Sequence, residues 1–199
     1  MSSRKRKGVR RTTRRHFGFT GEFALTPPEV DQLLVHTQSW HDEALLKLAI
    51  STGIRREDIV AIPIEGVDLE AGRIRFYENK KRRDWEVHVG GSILVTLKKH
   101  LNSLPRGTRW LFPGRQKGDG HLSGRSAYNI LERALRNAGL RPRPFHSLRA
   151  TCIKLAQWKG WTPEQVAKLT GDSIRVIQQH YSTPSRDEMQ KVATEKPLL

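Results

Sequence analysis

The sequence predicts a mainly α-helical domain with one small antiparallel β-sheet, an α+β architecture, and three observations carry that prediction. Apolar residues recur at helical spacing through most of the chain from Thr26 to Tyr181. Two helix starts are written out as capping boxes with proline at the first helical position, Thr26-Pro27-Pro28-Glu29 and Thr162-Pro163-Glu164-Gln165. Only between Pro63 and Val89 does the period change to alternation, with β-branched and aromatic residues.

Taken in order, residues 1–22 are charged and lack periodicity, so they are expected to form a disordered basic arm ahead of a domain spanning 23–195. The first helix follows Thr26, with Val30, Leu33 and Leu34 on one face. A second runs from about His41 to Thr52 on a core face of Ala44, Leu45, Leu48 and Ala49, and Gly53 ends it. The segment Ile54 to Ile62 starts a third helix after a tight glycine turn. Strands are expected at Val67 to Leu69, Arg73 to Glu78 and Trp85 to Val89, with Lys80, Lys81, Arg82 and Arg83 at the tip of a hairpin. Helices return over Ser92 to Leu104, facing the core with Leu94, Leu97 and Leu101, and over Ser123 to Ala138 with Ile130, Leu131 and Leu135. The intervening Gly114 to Gly124, GRQKGDGHLSG, lacks P-loop spacing and reads as a mobile surface loop.

The last third begins with a helix whose apolar stripe is Leu148, Cys152 and Leu155. His146 and Arg149, one turn apart on a different side, need not point into the core. Gly160 stops this helix, and Gly171 stops the one that Thr162 caps. Ser173 then caps one more helix, with Ile174, Ile177 and Tyr181 at helical spacing.

Charge narrows the function. A chain of 199 residues holds one domain with a real core. Its net charge is +16, and residues 1–16 contribute 8 of it through Arg4, Lys5, Arg6, Lys7, Arg10, Arg11, Arg14 and Arg15, with no acid among them. Such a bias points to a polyanion, most simply double-stranded DNA, with the arm and Lys81, Arg82 and Arg83 as contacts. No apolar run fits a secretory signal or a membrane span. Cys152 is the single cysteine, so no internal disulfide is possible and a reducing, cytoplasmic, nucleoid-associated setting is expected. The eight histidines show no zinc spacing, and no metal or cofactor is expected.

If the chain cuts a phosphodiester, His146, Arg149 and Tyr181 are its agents. Singly each is weak: a His-x-x-Arg pair arises often by chance, and Tyr181 in register with Ile174 and Ile177 reads more readily as a core aromatic. Their order in the chain adds specificity. Thr52-Gly53-Ile54-Arg55 followed by Asp58, a hairpin lysine, His146-x-x-Arg149 and a late tyrosine together resemble the catalytic domain of the tyrosine recombinase family, the phage integrases, over residues 24 to 190. The first motif is similar to the family's Thr-Gly-Leu-Arg-x-x-Glu. Counting back from Val87-His88-Val89 favours Lys80 over Lys81 as the family's hairpin lysine.

The resemblance implies a DNA strand transferase with type IB topoisomerase-like chemistry, self-associating on DNA. Arg55 and Arg149 would stabilise charge on the nonbridging oxygens, Lys80 would protonate the leaving 5′-oxygen, and His146 would assist proton transfer at the nucleophile. Tyr181 would form a 3′-phosphotyrosyl link that conserves the bond energy, so that rejoining needs neither ATP nor metal.

Two departures accompany the resemblance. Relatives usually have His or Trp after the glycine that precedes the tyrosine helix, whereas this chain has Asp172. Asp172 either faces the phosphate unpaired, which would leave the protein slow or inactive, or orients Arg149 or His146 through a charge-assisted hydrogen bond, and the second is the expectation. Most relatives also carry an N-terminal helical domain that closes a clamp on DNA, whereas the basic arm precedes Thr26 here, which leaves a minimal recombinase, a fragment or a partner-dependent protein open. Two other classes stand beside this reading. One is a DNA-binding protein of the same fold without cleavage. The other is a metal-dependent nuclease using Asp68, Glu78 and Lys80, whose spacing on strands resembles a carboxylate-carboxylate-lysine pattern.

Overall fold

The computed structural model describes residues 23–114, 120–181 and 186–195, with the side chains of 179–181, 186–188 and 191–192 outside that description. The order of elements is α1 (Pro27–Val35), α2 (Trp40–Thr52), α3 (Arg56–Val60), β1 (Val67–Asp68), β2 (Arg73–Glu78), β3 (Arg83–His88), α4 (Ser92–Ser103), α5 (Gly124–Asn137), α6 (Ser147–Trp158), α7 (Pro163–Thr170), α8 (Ile174–Tyr181) and α9 (Arg186–Glu195). This is the mainly helical domain with a small antiparallel sheet that the sequence predicts. The basic arm and residues 115–119 of the expected surface loop lie outside the described residues.

Local chemistry sets the helix ends. Both capping boxes form: Thr26 accepts from the Glu29 N–H while Glu29 accepts from the Thr26 N–H, and Thr162 and Gln165 do the same. Gly53 and Gly171 close α2 and α7 at φ of 65° and 72°, in the left-handed region that glycine adopts without steric cost. Ser123 caps α5, and Ser173 accepts from the Val176 N–H at the start of α8.

The sheet has the order β1-β2-β3, antiparallel throughout, with Ile74 opposite Val87, Phe76 opposite Trp85 and Glu78 opposite Arg83. The last pairing corrects the expected hairpin tip: Arg83 belongs to β3, and the turn is Asn79 to Arg82. Arg82 takes the left-handed conformation, φ 51°.

Among the described residues two buried apolar clusters hold the helices. The large one joins α1 to α5 and the sheet through Leu25, Leu33, Leu45, Leu48, Ile59, Ile74, Leu97, Phe112 and Leu131. The small one, Ala150, Ile153, Ala156, Val166, Ala167 and Ile177, joins α6, α7 and α8. Two expected core rows need correction. On α4 the buried row is Ile93, Thr96, Leu97 and His100, with Leu94 and Leu101 only half buried. His100 tolerates complete burial because its Nε2–H donates to the Leu111 carbonyl at 2.7 Å. On α8, Ile177 is buried but Ile174 is 39% exposed.

Candidate active site

The site starts from the glycine that ends α2. A Cβ on Gly53 would lie 3.1 Å from Thr170 Cγ2 and 3.4 Å from Cys152 Sγ, so the absence of a side chain lets the α2–α3 turn press against α6 and the end of α7. Two residues on, Arg55 opens α3 with its side chain 21% exposed. Against this turn lies Arg149 of α6, only 3% exposed. It donates Nη1 to the Gly53 carbonyl and Nη2 to the Thr170 carbonyl at 2.8 Å. His146 and Arg149, which helical spacing left free to stay out of the core, therefore part company. Arg149 is buried because free carbonyls at the ends of α2 and α7 receive its N–H groups, while His146, the N-cap residue of α6, is exposed.

Asp172 follows Gly171 directly and joins the two arginines. Its Oδ1 accepts from Arg55 Nη2 at 3.1 Å, and its Oδ2 lies 2.6 Å from Arg149 Nη2 and 3.2 Å from Arg149 Nε. On the other side of Arg55 stands Glu78, 2% exposed at the end of β2. Its Oε1 accepts from Arg55 Nη1 and its Oε2 from Arg83 Nε at 2.8 Å. The result is an alternating row, Arg83–Glu78–Arg55–Asp172–Arg149, of three guanidiniums and two carboxylates. Burial works against the charge on Glu78, but hydrogen bonds from Arg83 and Arg55 and the charge of Lys81 outweigh it and hold its pKa below the ordinary glutamate value.

Lys80, Arg55, His146 and Arg149 share the lining of one open recess of about 460 Å³. Lys81 is turned elsewhere and donates its Nζ to the Gly171 carbonyl, which ties the hairpin turn to the residue before Asp172. The His146 ring is kept below the usual imidazole pKa by partial desolvation and by the charges of Arg149, Arg55 and Lys80, with Asp172 pulling the other way. That direction favours the neutral ring, which can accept a proton. Burial pushes the Cys152 thiol up to about 12, so it is no nucleophile. Asp58 is buried and accepts from the backbone and side-chain N–H groups of Asn79 at 3.1 and 3.0 Å, which fixes where the hairpin turn begins.

Tyr181 is the last residue of α8, and its side chain is outside the described residues, as are Arg4, Lys5, Arg6, Lys7, Arg10, Arg11, Arg14 and Arg15. Arg82 is exposed at the turn. The nuclease grouping does not come together. Asp68 pairs with Arg73 at one end of β2 and Glu78 sits at the other, roughly 17 Å away by strand rise, with both of its oxygens taken by guanidiniums. Among the described residues no cluster of three His, Cys, Asp or Glu side chains could hold a metal ion.

Sequence reading missed Glu78 as a partner of Arg55. A signal for it existed: Ile74, Phe76 and Glu78 occupy alternate positions of β2, all three are buried, and an acid in a buried row needs cations beside it.

The model of the phage integrase family matches residues 24–187. The chain belongs to that family. Among curated members, tyrosine recombinase XerA of Pyrococcus furiosus is 23% identical over 179 residues, covering 88% of this chain and 62% of that protein. Tyrosine recombinase XerC of Roseiflexus castenholzii is 33% identical over 95 residues, 43% of this chain and 30% of its own. This phage integrase homologue thus spans less than two thirds of either relative. Its fold is that of the XerA recombinase crystal structure (TM-score 0.77, 17% identity, 88% of this chain and 65% of the other). It is also that of XerH bound to its difH substrate before cleavage (0.69, 22%, 86% and 53%) and of a lambda integrase dimer on a COC′ core site (0.65, 20%, 82% and 49%). Among the described residues of this chain, no helix is long and apolar enough to cross a membrane.

Proposed function

We propose that this member of the family breaks and rejoins double-stranded DNA through a covalent 3′-phosphotyrosyl intermediate on Tyr181. The observation that carries the reading is the pairing of Arg55 and Arg149, from α3 and α6, on one carboxylate beside a recess they share with Lys80 and His146. Each terminal guanidinium nitrogen bears two N–H groups: Arg55 Nη2, bonded to Asp172, keeps one for a phosphate oxygen, and on Arg149 the remaining one is on Nη1, because Thr170 and Asp172 take both of Nη2. Two fixed cations at one phosphate stabilise the charge that grows on its nonbridging oxygens as the phosphorus is attacked.

In the proposed step the Tyr181 oxygen forms a bond to phosphorus, the bond to the 5′-oxygen breaks, and that oxygen takes a proton from Lys80. Neutral His146 accepts the phenolic proton or passes it to water. Rejoining runs the same step backwards with a 5′-hydroxyl as the attacking group. Site choice and assembly on DNA belong to the same proposal, by analogy with the DNA-bound XerH and lambda integrase structures.

The test is incubation with a nicked suicide duplex, from which the cleaved strand cannot be rejoined. A covalent protein–DNA adduct is expected, undiminished in a chelator and absent in Tyr181→Phe, whose DNA binding remains near that of the parent. An adduct that survives Tyr181→Phe, or that needs magnesium, refutes the assignment. A second reading, DNA binding without cleavage, draws on Asp172, which occupies part of both guanidiniums. It predicts specific binding with no adduct in any variant.

A further inference from the structure

We propose that Glu78 is a positioning residue for this reaction: with Arg83 as its second partner it fixes the plane of the Arg55 guanidinium at the phosphate site. This rests on the strand-transfer reading above and adds a residue that the family's motif does not supply.

The geometry leaves Glu78 little else to do. It is 2% exposed at the inner end of β2, where the alternation of the strand calls for an apolar side chain after Ile74 and Phe76. An unpaired carboxylate at such a place would be strongly destabilising. Each of its oxygens instead takes one guanidinium, Arg55 on Oε1 and Arg83 on Oε2. Arg55 is consequently held at both terminal nitrogens, Nη1 by Glu78 and Nη2 by Asp172. Two acceptors on opposite nitrogens of a planar group define its plane as well as its position, which a single acceptor cannot do.

Arg83 is fixed in turn. Its guanidinium carbon lies 3.8 Å from the centroid of the Trp85 ring, and Lys168 of α7 lies 5.2 Å from the same ring. The Arg83 side chain is 39% exposed, in contrast to Glu78, so one end of the row meets solvent at the basic hairpin while the other ends at buried Arg149. Gly171 completes the fit: a Cβ there would meet Arg83 Nη2 at 3.4 Å and Glu78 Oε1 at 3.5 Å.

The experiment is a double-mutant cycle on adduct formation from the suicide duplex at saturating DNA, with DNA affinity and thermal melting measured alongside. Glu78→Gln keeps the shape but removes the charge, and adduct formation should slow by about 10- to 100-fold, by analogy with the loss of partners that orient metal ligands. DNA affinity should not weaken. In the Arg55→Ala background the same change should cost less than about 3-fold, because its effect passes through Arg55. A merely structural role would give equal losses in both backgrounds, and that result overturns the inference. Should Glu78→Gln fail to melt cooperatively, Arg83→Gln at its partly open position replaces it, with a loss of roughly 3- to 10-fold that vanishes beside Arg55→Ala. Full cleavage activity in both Glu78→Gln and Arg83→Gln also overturns it. A parent that forms no adduct at all refutes the strand-transfer reading, and the inference with it, whereas an active parent with additive variants refutes the inference alone.

Discussion

The helices around Arg55 and the helices that lead to Tyr181 are held by very different amounts of apolar packing. The large cluster contains Leu45, Leu46, Leu48, Ile59, Ile62, Leu97, Leu111, Phe112 and Leu131, all completely buried. Among the described residues the small cluster has six members, of which Ala150, Ala156 and Ala167 are alanines, and α8 contributes Ile177 to it while Ile174 stays 39% exposed. Burying a leucine or phenylalanine side chain contributes about 1.5–3 kcal/mol, and an alanine methyl far less. The proposed phosphate-binding arginines therefore stand on, or press against, a rigid frame, whereas the described side chains of the proposed nucleophile's helix rest on little apolar surface. Polar ties make up part of the difference. Asp172, in the turn between α7 and α8, bridges Arg55 and Arg149, and Lys81 reaches the Gly171 carbonyl from the hairpin. The row of charges at the site is also the clasp between the two parts.

The strongest way to break this picture is to cut the clasp. Asp172→Asn and Asp172→His should each lower cleavage on the order of 100-fold, comparable with losing one preorganised donor in other enzymes, because two guanidiniums lose their shared acceptor. Cleavage rates at saturating DNA check this, and a clear gain in both variants would refute the orienting role of Asp172.

Next in size is a matched pair of core truncations. Leu46→Ala in the large cluster should cost about 2–5 kcal/mol of global stability and shift the denaturation midpoint accordingly. Ile177→Ala should move that midpoint much less while slowing adduct formation by roughly 10-fold, since it loosens a segment that can open locally. Equal midpoint shifts for the two would mean that the clusters unfold as one cooperative unit.

The same contrast explains which parts were legible in the sequence. Capping boxes at Thr26 and Thr162, the glycines that end α2 and α7, and the alternation of Arg73 to Glu78 are local signals, and the structure follows them within a residue or two. Of the site, the sequence offered Arg55, Lys80, His146 and Arg149, which the structure gathers on one recess. What it could not offer were acceptors supplied by distant segments. Arg149 is buried by carbonyls 96 and 21 positions away, and Glu78 pairs across 23 positions with Arg55. Hydrophobic periodicity places polar residues outside by default, so it did not foresee the burial of Arg149, His100 or Glu78, each of which is buried because a specific partner awaits it.

A smaller effect is expected from the arm. Its root is tied on the side of the small cluster: Arg143 donates to the carbonyls of Phe23 and Ala24, the Leu25 N–H donates to Thr151 Oγ1 at 2.8 Å, and Ala24 packs against the cluster itself. Deleting residues 2–16 should weaken DNA binding without regard to sequence and flatten the log-log salt dependence by roughly 0.9 for each phosphate that the arm neutralises. Cleavage at saturating DNA should be unchanged, because the deletion leaves that root in place. An unchanged salt slope would remove the arm from the DNA interface.

The smallest effect, and the sharpest probe of the site as one electrostatic unit, is the titration of His146. Partial desolvation and the charges of Arg149, Arg55 and Lys80 lower its pKa, and Asp172 raises it. A lowered pKa favours the neutral ring, so the acid limb of the cleavage profile should fall below the ordinary imidazole range, with the rate level above it. For stability the sign is the same: protonating His146 costs more in the folded protein than in the unfolded chain, so this residue removes stability as pH falls through the ordinary imidazole value. Ring proton shifts of His146 in the free protein read the pKa without relying on catalysis. Lys80→Met should move the titration upward by part of the displacement, since desolvation and the two arginines remain, and Asp172→Asn should move it further down. Arg133→Met, at the Arg133–Asp42 pair, neither member of which lines the recess of His146, should leave it where it is. Shifts of opposite sign from Lys80 and Asp172 would tie hairpin, clasp and imidazole into a single field. If Lys80→Met leaves the titration unmoved, the hairpin lysine does not share the recess with His146 in solution.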